Sequence, residues 1–287
     1  MQRYTRGIIG NVIRRDRPLS MEELKHYVPS VFSTEAHESR STKFAPVSTW
    51  EVLEHLRINA GFTPFMATQA RVRDNSRKEF TKHMIRLRKE NNQAINGLSD
   101  EIIIVNANDG TSSYKLLSGQ FRFVCANGLI CGDINKNTTV RHSGDARGEV
   151  LEGVYEVLDD YEEIHDTERR MMGLKLNDRQ RQQFAVASYL AKEGQPLNNQ
   201  FAYNPLQLLQ PHRYEDASQD LFTQFNVVQE NIINGGIERR RRINANGKVT
   251  RASRTKPING IDQNISVNRS LWQIASEVLQ ELTPIQY

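Results

Sequence analysis

The 287 residues suffice for one large domain or two ordinary ones with a sizeable core, and no run approaches the ~18 apolar residues of a membrane span. At 38% hydrophobic and 25% charged, the composition is polar yet outside the disordered range. A net charge of +4 and a pI near 9.0 predict an anionic partner only where the positive charge is concentrated, and two cysteines make no disulfide framework.

Residues 1–47 read as an ordered arm. Ser20 with Glu23 three positions on is a capping-box pattern that predicts a short helix, and the rest has turn composition. No apolar core flanked by a cleavage pattern occurs in residues 1–30, so the expectation is a soluble, cytoplasmic chain.

Residues 48–145 read as a helix plus an antiparallel sheet. Ser48 and Glu51 repeat the capping spacing, with Trp50, Leu53, Leu56 and Ile58 as an apolar stripe ending at Gly61. From Phe62 the period changes to two, with Met66, Thr68, Ala70 and Val72 alternating with Phe65, Ala67, Gln69, Arg71 and Arg73. Residues 78–89 fit a basic helix or a strand. The strand reading puts His83, Ile85 and Leu87 on one side and Lys82, Met84, Arg86 and Arg88 on the other. Glu101–Val105, Tyr114–Ser118 and Phe121–Cys125 complete a meander of about four strands, whose exit is an Asn127-Gly128 turn.

Residues 146–287 read as helical. Apolar spacing from Val150 to Ile164, an Asn177 cap, Leu221 to Ile232 stopped by Gly235-Gly236, and Leu271 to Leu282 mark the helices. A basic loop spans 237–260. The fold class is therefore α+β, an N-terminal antiparallel meander covered by helices with a mostly helical C-terminal half.

Two clusters concentrate charge. If residues 62–73 and 78–89 are adjacent strands, Arg71 and Arg73 share a face with Lys82, Arg86 and Arg88, and such a face needs an anion against its self-repulsion. The second is Arg239, Arg240, Arg241, Arg242, Lys248, Arg251, Arg254 and Lys256, with no acid between the first and the last. Phosphate backbones answer both, and a basic loop can close over a single strand. The aromatics of the sheet region, Phe62, Phe65, Phe80, Tyr114, Phe121 and Phe123, read mostly as core.

No catalytic, metal or cofactor set stands out. Cys125 and Cys131 with His142 nearest make at most half a zinc site and read as small buried residues. Glu162, Glu163, His165, Asp166 and Glu168 read as an exposed acidic helix face. Phosphate-cradling Gly-rich loops with Lys, His-Glu-x-x-His and Gly-x-Ser-x-Gly are all absent.

Several runs carry a family likeness: Ile13-Arg-Arg-Asp-Arg-Pro-Leu, Pro29-Ser-Val-Phe with His37-Glu-Ser-Arg-Ser, Gln69-Ala-Arg-Val-Arg-Asp, Thr81-Lys-His-Met-Ile-Arg-Leu-Arg, Asn108-Asp-Gly-Thr-Ser-Ser-Tyr, Phe123-Val-Cys-Ala-Asn-Gly-Leu-Ile-Cys-Gly and Val228-Gln-Glu-Asn-Ile-Ile-Asn-Gly-Gly. Together they resemble the DUF932 family of phage- and plasmid-related proteins. The resemblance implies a mobile-element, prophage context and supplies no catalytic residues.

The expectation is a nucleic-acid-binding protein without cofactor, a binder rather than an enzyme. Single-stranded DNA is favoured, handled in recombination or replication, and strand annealing by a homo-oligomer is the specific form. The alternatives are a metal-dependent DNA-processing enzyme using His165 or His83, and an interaction protein that inhibits a host factor.

Overall fold

The structure is a computed structural model that describes residues 11–89, 97–123, 127–132, 138–196, 200–241, 249 and 251–283. The chain divides into two compact units, Met1–Tyr161 and Glu162–Tyr287.

In the first unit, an antiparallel sheet runs in sequence order through β1 (Asn11–Arg14), β2 (Phe62–Gln69), β3 (His83–Lys89), β4 (Leu98–Asn106), β5 (Tyr114–Arg122) and β6 (Asn127–Ile130), while β7 (Thr138–Val140) also pairs with β5. The antiparallel meander is as expected, but with seven strands in place of about four. β1 was missed because four residues inside a polar arm carry too little alternation to read.

The helices of this unit are α1 (Met21–Tyr27), α2 (Thr49–Ala60) and α3 (Ala146–Asp159). Ser20 and Glu23 form the full capping box on α1, and Ser48 caps α2 by accepting from the Glu51 amide. The division after Tyr161 differs from the expected break at residue 146, because α3 packs on β5 and β7. The arm likewise belongs to this unit, with β1 in the sheet and Ser30 tied to β2 and β3.

The sheet curls. Arg86 on β3 donates to the backbone carbonyls of Gly128 and Leu129 on β6, three strands away. In a flat sheet those strands would stand about 14 Å apart, too far for one arginine side chain. Arg14 on β1 likewise reaches to 5.5 Å from the ring of Phe121 on β5. A register shift in β2 between Pro64 and Met66, where Pro64 has no amide to give the ladder, bends the strand.

The outer face, carrying Gln69, His83, Ile85, Leu87, Asn106 and Leu116, receives α2, α3 and the arm. The inner face carries Met84, Arg86, Arg88, Glu101, Ile103 and Leu117, all buried. Tyr161 ties the end of the unit to the sheet, its buried hydroxyl donating to the Glu101 carbonyl at 2.5 Å.

The second unit contains α4 (from Tyr161 to Gly173), α5 (Asp178–Glu193), α6 (Leu221–Asn234) and α7 (Ile261–Leu282). Asn177 caps α5 as expected, with Gln180 reciprocating. The apolar spacing read as one helix from Val150 to Ile164 is two helices, broken at Asp160. α7 starts ten residues before the expected Leu271, its first turns carrying polar residues that blur the stripe.

α6 is the centre of this unit. Residues 221–232 are buried on every side, Gln224, Asn226, Gln229, Glu230 and Asn231 included. Gln224, Gln229, Glu230 and Asn231 find partners in the surrounding elements, as where Gln229 donates to Asn268 of α7 at 2.9 Å, while the Asn226 amide donates within α6 to the Phe222 carbonyl. No helix among the described residues is long and apolar enough to cross a membrane.

Candidate nucleic-acid interface

The expected cationic sheet face does not form. β2 ends at Gln69, so Arg71 and Arg73 lie exposed in the connection to β3 rather than on a strand. Lys82 sits just before β3, half-buried, its carbonyl accepting from the Ala70 amide at 2.7 Å. Arg86 and Arg88 do share a face, but it is the inner one.

Both of these guanidiniums meet Glu101, which is wholly buried. Arg86 Nη1 lies 2.5 Å from its Oε2 and Arg88 Nε 2.8 Å from its Oε1. The carboxylate sits 15 residues beyond Arg86, inside an apolar run, and only the β3–β4 register brings the groups together. Arg88 also lies 3.7 Å from the centre of the Phe121 ring and 4.6 Å from that of Phe65. Burial lowers its pKa while Glu101 opposes the shift. This Arg-Glu-Arg cluster holds the curled sheet together and offers little to a polyanion.

Asn127-Gly128, read as a turn, is the start of β6. Its glycine serves a close approach, since a Cβ there would stand 2.1 Å from Arg86 Nη1.

On the outer face, His83 joins the arm, α2 and the sheet. Ser30 Oγ lies 2.8 Å from Nδ1 and Thr49 Oγ1 2.8 Å from Nε2. The Gln69 amide nitrogen donates to the Lys78 carbonyl, so its oxygen accepts from Ser30 Oγ. Ser30 Oγ therefore accepts from Nδ1–H and Thr49 donates to Nε2, which fixes one neutral tautomer. Burial pushes the pKa of His83 down to about 4. Ser30 and His83 have the spacing of a nucleophile and base, but both are buried, and the bonds close on protein partners.

The second basic cluster takes a definite form in the Glu162–Tyr287 unit. Gly235 ends α6 at φ 65°, where a Cβ would meet the Lys256 backbone at 2.7 Å. From there two segments run antiparallel. Gly236 N bonds to Thr255 O, Thr255 N to Ile237 O and Arg239 N to Ser253 O, each at 2.9 Å. The backbones of Glu238 and Arg254 face each other in a bridge across this basic ribbon.

The ribbon is anchored to the helices beside it. Gln207, in a 3-10 turn at Pro205–Leu209, donates to the Glu238 carbonyl at 3.2 Å. The Arg240 amide donates to Ala202 O at 2.8 Å, and Arg239 pairs with Glu193 of α5 at 3.2 Å. Arg240, Arg241, Arg251, Arg254 and Lys256 are exposed, with no ion pair to any of them among the described residues. Arg242 and Lys248 lie outside the described residues.

Of the aromatics assigned to the sheet, Phe62, Phe65, Tyr114 and Phe121 are core, and Phe123 is exposed. Cys131 is buried, its thiol donating to Gln120 Oε1 at 3.9 Å, and Cys125 lies outside the described residues. The acidic residues of α4 are not uniformly an exposed face, because Glu168 is buried. No group of three or more His, Cys, Asp or Glu among the described residues could hold a metal ion.

The molecule is thus a two-unit α+β protein, with a curled sheet sealed around an internal ion cluster and a helical unit bearing a basic ribbon. The chain belongs to the DUF932 family, whose model, "Domain of unknown function (DUF932)", matches residues 36–272. It is 43% identical over 275 residues to two proteins of Escherichia coli strain K12, UPF0380 protein YfjQ and UPF0380 protein YafZ, covering 95% of this chain and 96% of each relative. No solved structure matches it.

Proposed function

We propose that this protein binds nucleic acid, with DNA handled during recombination or replication of a mobile element as its partner, and that the basic ribbon is the contact. The observation that carries this reading is the ribbon itself. Eight cations lie between Arg239 and Lys256 with no acid among them, and among the described ones only Arg239 is matched by a carboxylate. Positive charge held on a rigid root and left unneutralised is what a phosphate backbone replaces counterions upon. Several copies aligned on one strand would leave bases available for pairing, which is the strand-annealing form of the activity.

The experiment is binding of labelled DNA across a salt series, comparing wild type with Arg240, Arg241, Arg251 and Arg254 all changed to Ala. Log affinity against log salt should lose about 3 in slope, at ~0.7 per lost contact to a single strand, with melting unchanged. Equal slopes for the two proteins would defeat the reading.

A further inference from the structure

In the Glu162–Tyr287 unit the large apolar side chains left exposed among the described residues are Leu206, Tyr214 and Val249. Val249 belongs to the ribbon, and Leu206 precedes the Gln207 that holds the Glu238 carbonyl. Tyr214 is 92% exposed, the most open of the large hydrophobic residues described.

The backbone under Tyr214 is fixed. Arg213 bonds to Glu230 of α6 and lies 3.4 Å from the buried Asp216, so the residues on both sides of the ring are held. One residue earlier, His212 Nε2 lies 2.8 Å from Asn231 Oδ1, while the amide of Asn231 donates to Leu208 O and Gln210 O. Asn231 in turn accepts from the Gly235 amide at the root of the ribbon. Four residues of helix rise only ~6 Å, so the turn bearing Tyr214 and the root of the ribbon share the last turns of α6.

An exposed ring on a held turn, rooted on the same turns of α6 as a cation track, is the pair of features that distinguishes a single-strand site from a duplex site. The phosphates follow the arginines, and an unpaired base has a free face for the ring. Glu215 beside Tyr214 is exposed, and its charge repels phosphate, which turns the base rather than the backbone towards the turn.

We propose that Tyr214 is the stacking platform of the ribbon site, so that the ligand is single-stranded nucleic acid with accessible bases. This rests on the polyanion reading of the ribbon.

The test compares Tyr214→Ala and Tyr214→Trp with wild type on three probes: oligothymidylate, a duplex of the same length and an abasic oligomer carrying the same phosphates. Tyr214→Ala should weaken oligothymidylate binding roughly ten- to hundred-fold and leave the abasic oligomer unaffected. Tyr214→Trp should retain binding, and its added fluorescence should be quenched by oligothymidylate and not by the abasic oligomer.

Equal losses on all probes, or no loss with Tyr214→Ala, would overturn the stacking role. Wild type binding thymidylate and abasic oligomer alike, with a steep salt slope, would leave the ribbon reading standing and remove only this inference. No salt-dependent binding of any probe would remove both.

Discussion

The inside of the curled sheet and the basic ribbon both gather arginine, and they use it in opposite ways. In the sheet, the buried Arg86 and Arg88 both bond directly to one carboxylate, so their charge is spent on the protein itself. Along the ribbon, Arg241, Arg251 and Arg254 face solvent, and among its described cations only Arg239 makes an ion pair. What decides the matter is where the acid lies. Glu101 arrives across a strand pair, whereas the stretch from Arg239 to Lys256 contains no acid, and only the unspent charge can serve a ligand.

The sharpest way to break this contrast is Glu101→Gln. It leaves two buried guanidiniums without their counter-charge and should cost about 3–5 kcal/mol. Urea unfolding in a Trp272→Phe background, where Trp50 alone reports on the sheet unit, measures it. A loss under 1 kcal/mol would mean that water reaches the cluster.

His83 gives the next effect, set by pH. Its pKa falls from the ordinary 6.5 in the unfolded chain to about 4 in the fold, so the folded state binds fewer protons between those values. Its contribution is complete above pH 6.5 and disappears as pH drops towards 4, a loss of roughly 3 kcal/mol. Subtracting the pH dependence of His83→Gln from that of wild type isolates the group. A flat difference between pH 7 and 4.5 would show that the imidazole is hydrated.

Much of this was readable from the chain. The capping box at Ser20 and the cap at Asn177 are local chemistry, and the alternation through His83–Lys89 set strand above helix. Alternation also put Arg86 and Arg88 on one face. It could not say that the face turns inward, because curling comes from a register shift at Pro64 and from contacts three strands apart. Nor could it supply Glu101, whose place in an apolar run says only that the strand is buried.

Gly128 shows the same limit. Asn-Gly is a turn signal by local propensity, and here the glycine exists for the side chain of Arg86. The second cluster was recognisable because charge without acid in a polar segment needs no long-range knowledge. Tyr214 could have been suspected as a lone aromatic within Pro211-His-Arg-Tyr-Glu-Asp, but its exposure follows from Arg213 and Asp216 holding the turn beneath it.

Gly128→Ala sharpens the sheet side of the comparison. The new methyl must displace a guanidinium held by Glu101, at a cost of about 1–3 kcal/mol. Were Arg86 mobile, it would swing away and the cost would fall to a few tenths. The same unfolding assay separates these outcomes.

The smallest effect lies within the ribbon, between Arg239 and its neighbours. Arg239 pairs with Glu193 at a partly exposed position, so Arg239→Ala should cost about 0.2–1 kcal/mol. Arg241→Ala, which breaks no ion pair, should change stability by less than about 0.5 kcal/mol. For DNA binding the order should reverse, with Arg241→Ala lowering affinity and salt slope more than Arg239→Ala, because Glu193 already claims the latter's charge. Measuring both variants for melting and for salt-dependent binding asks whether a cation's pairing in the fold sets its value to the ligand. Equal binding losses would mean that DNA draws Arg239 off Glu193, and the ribbon would then engage with its root as well as its exposed length.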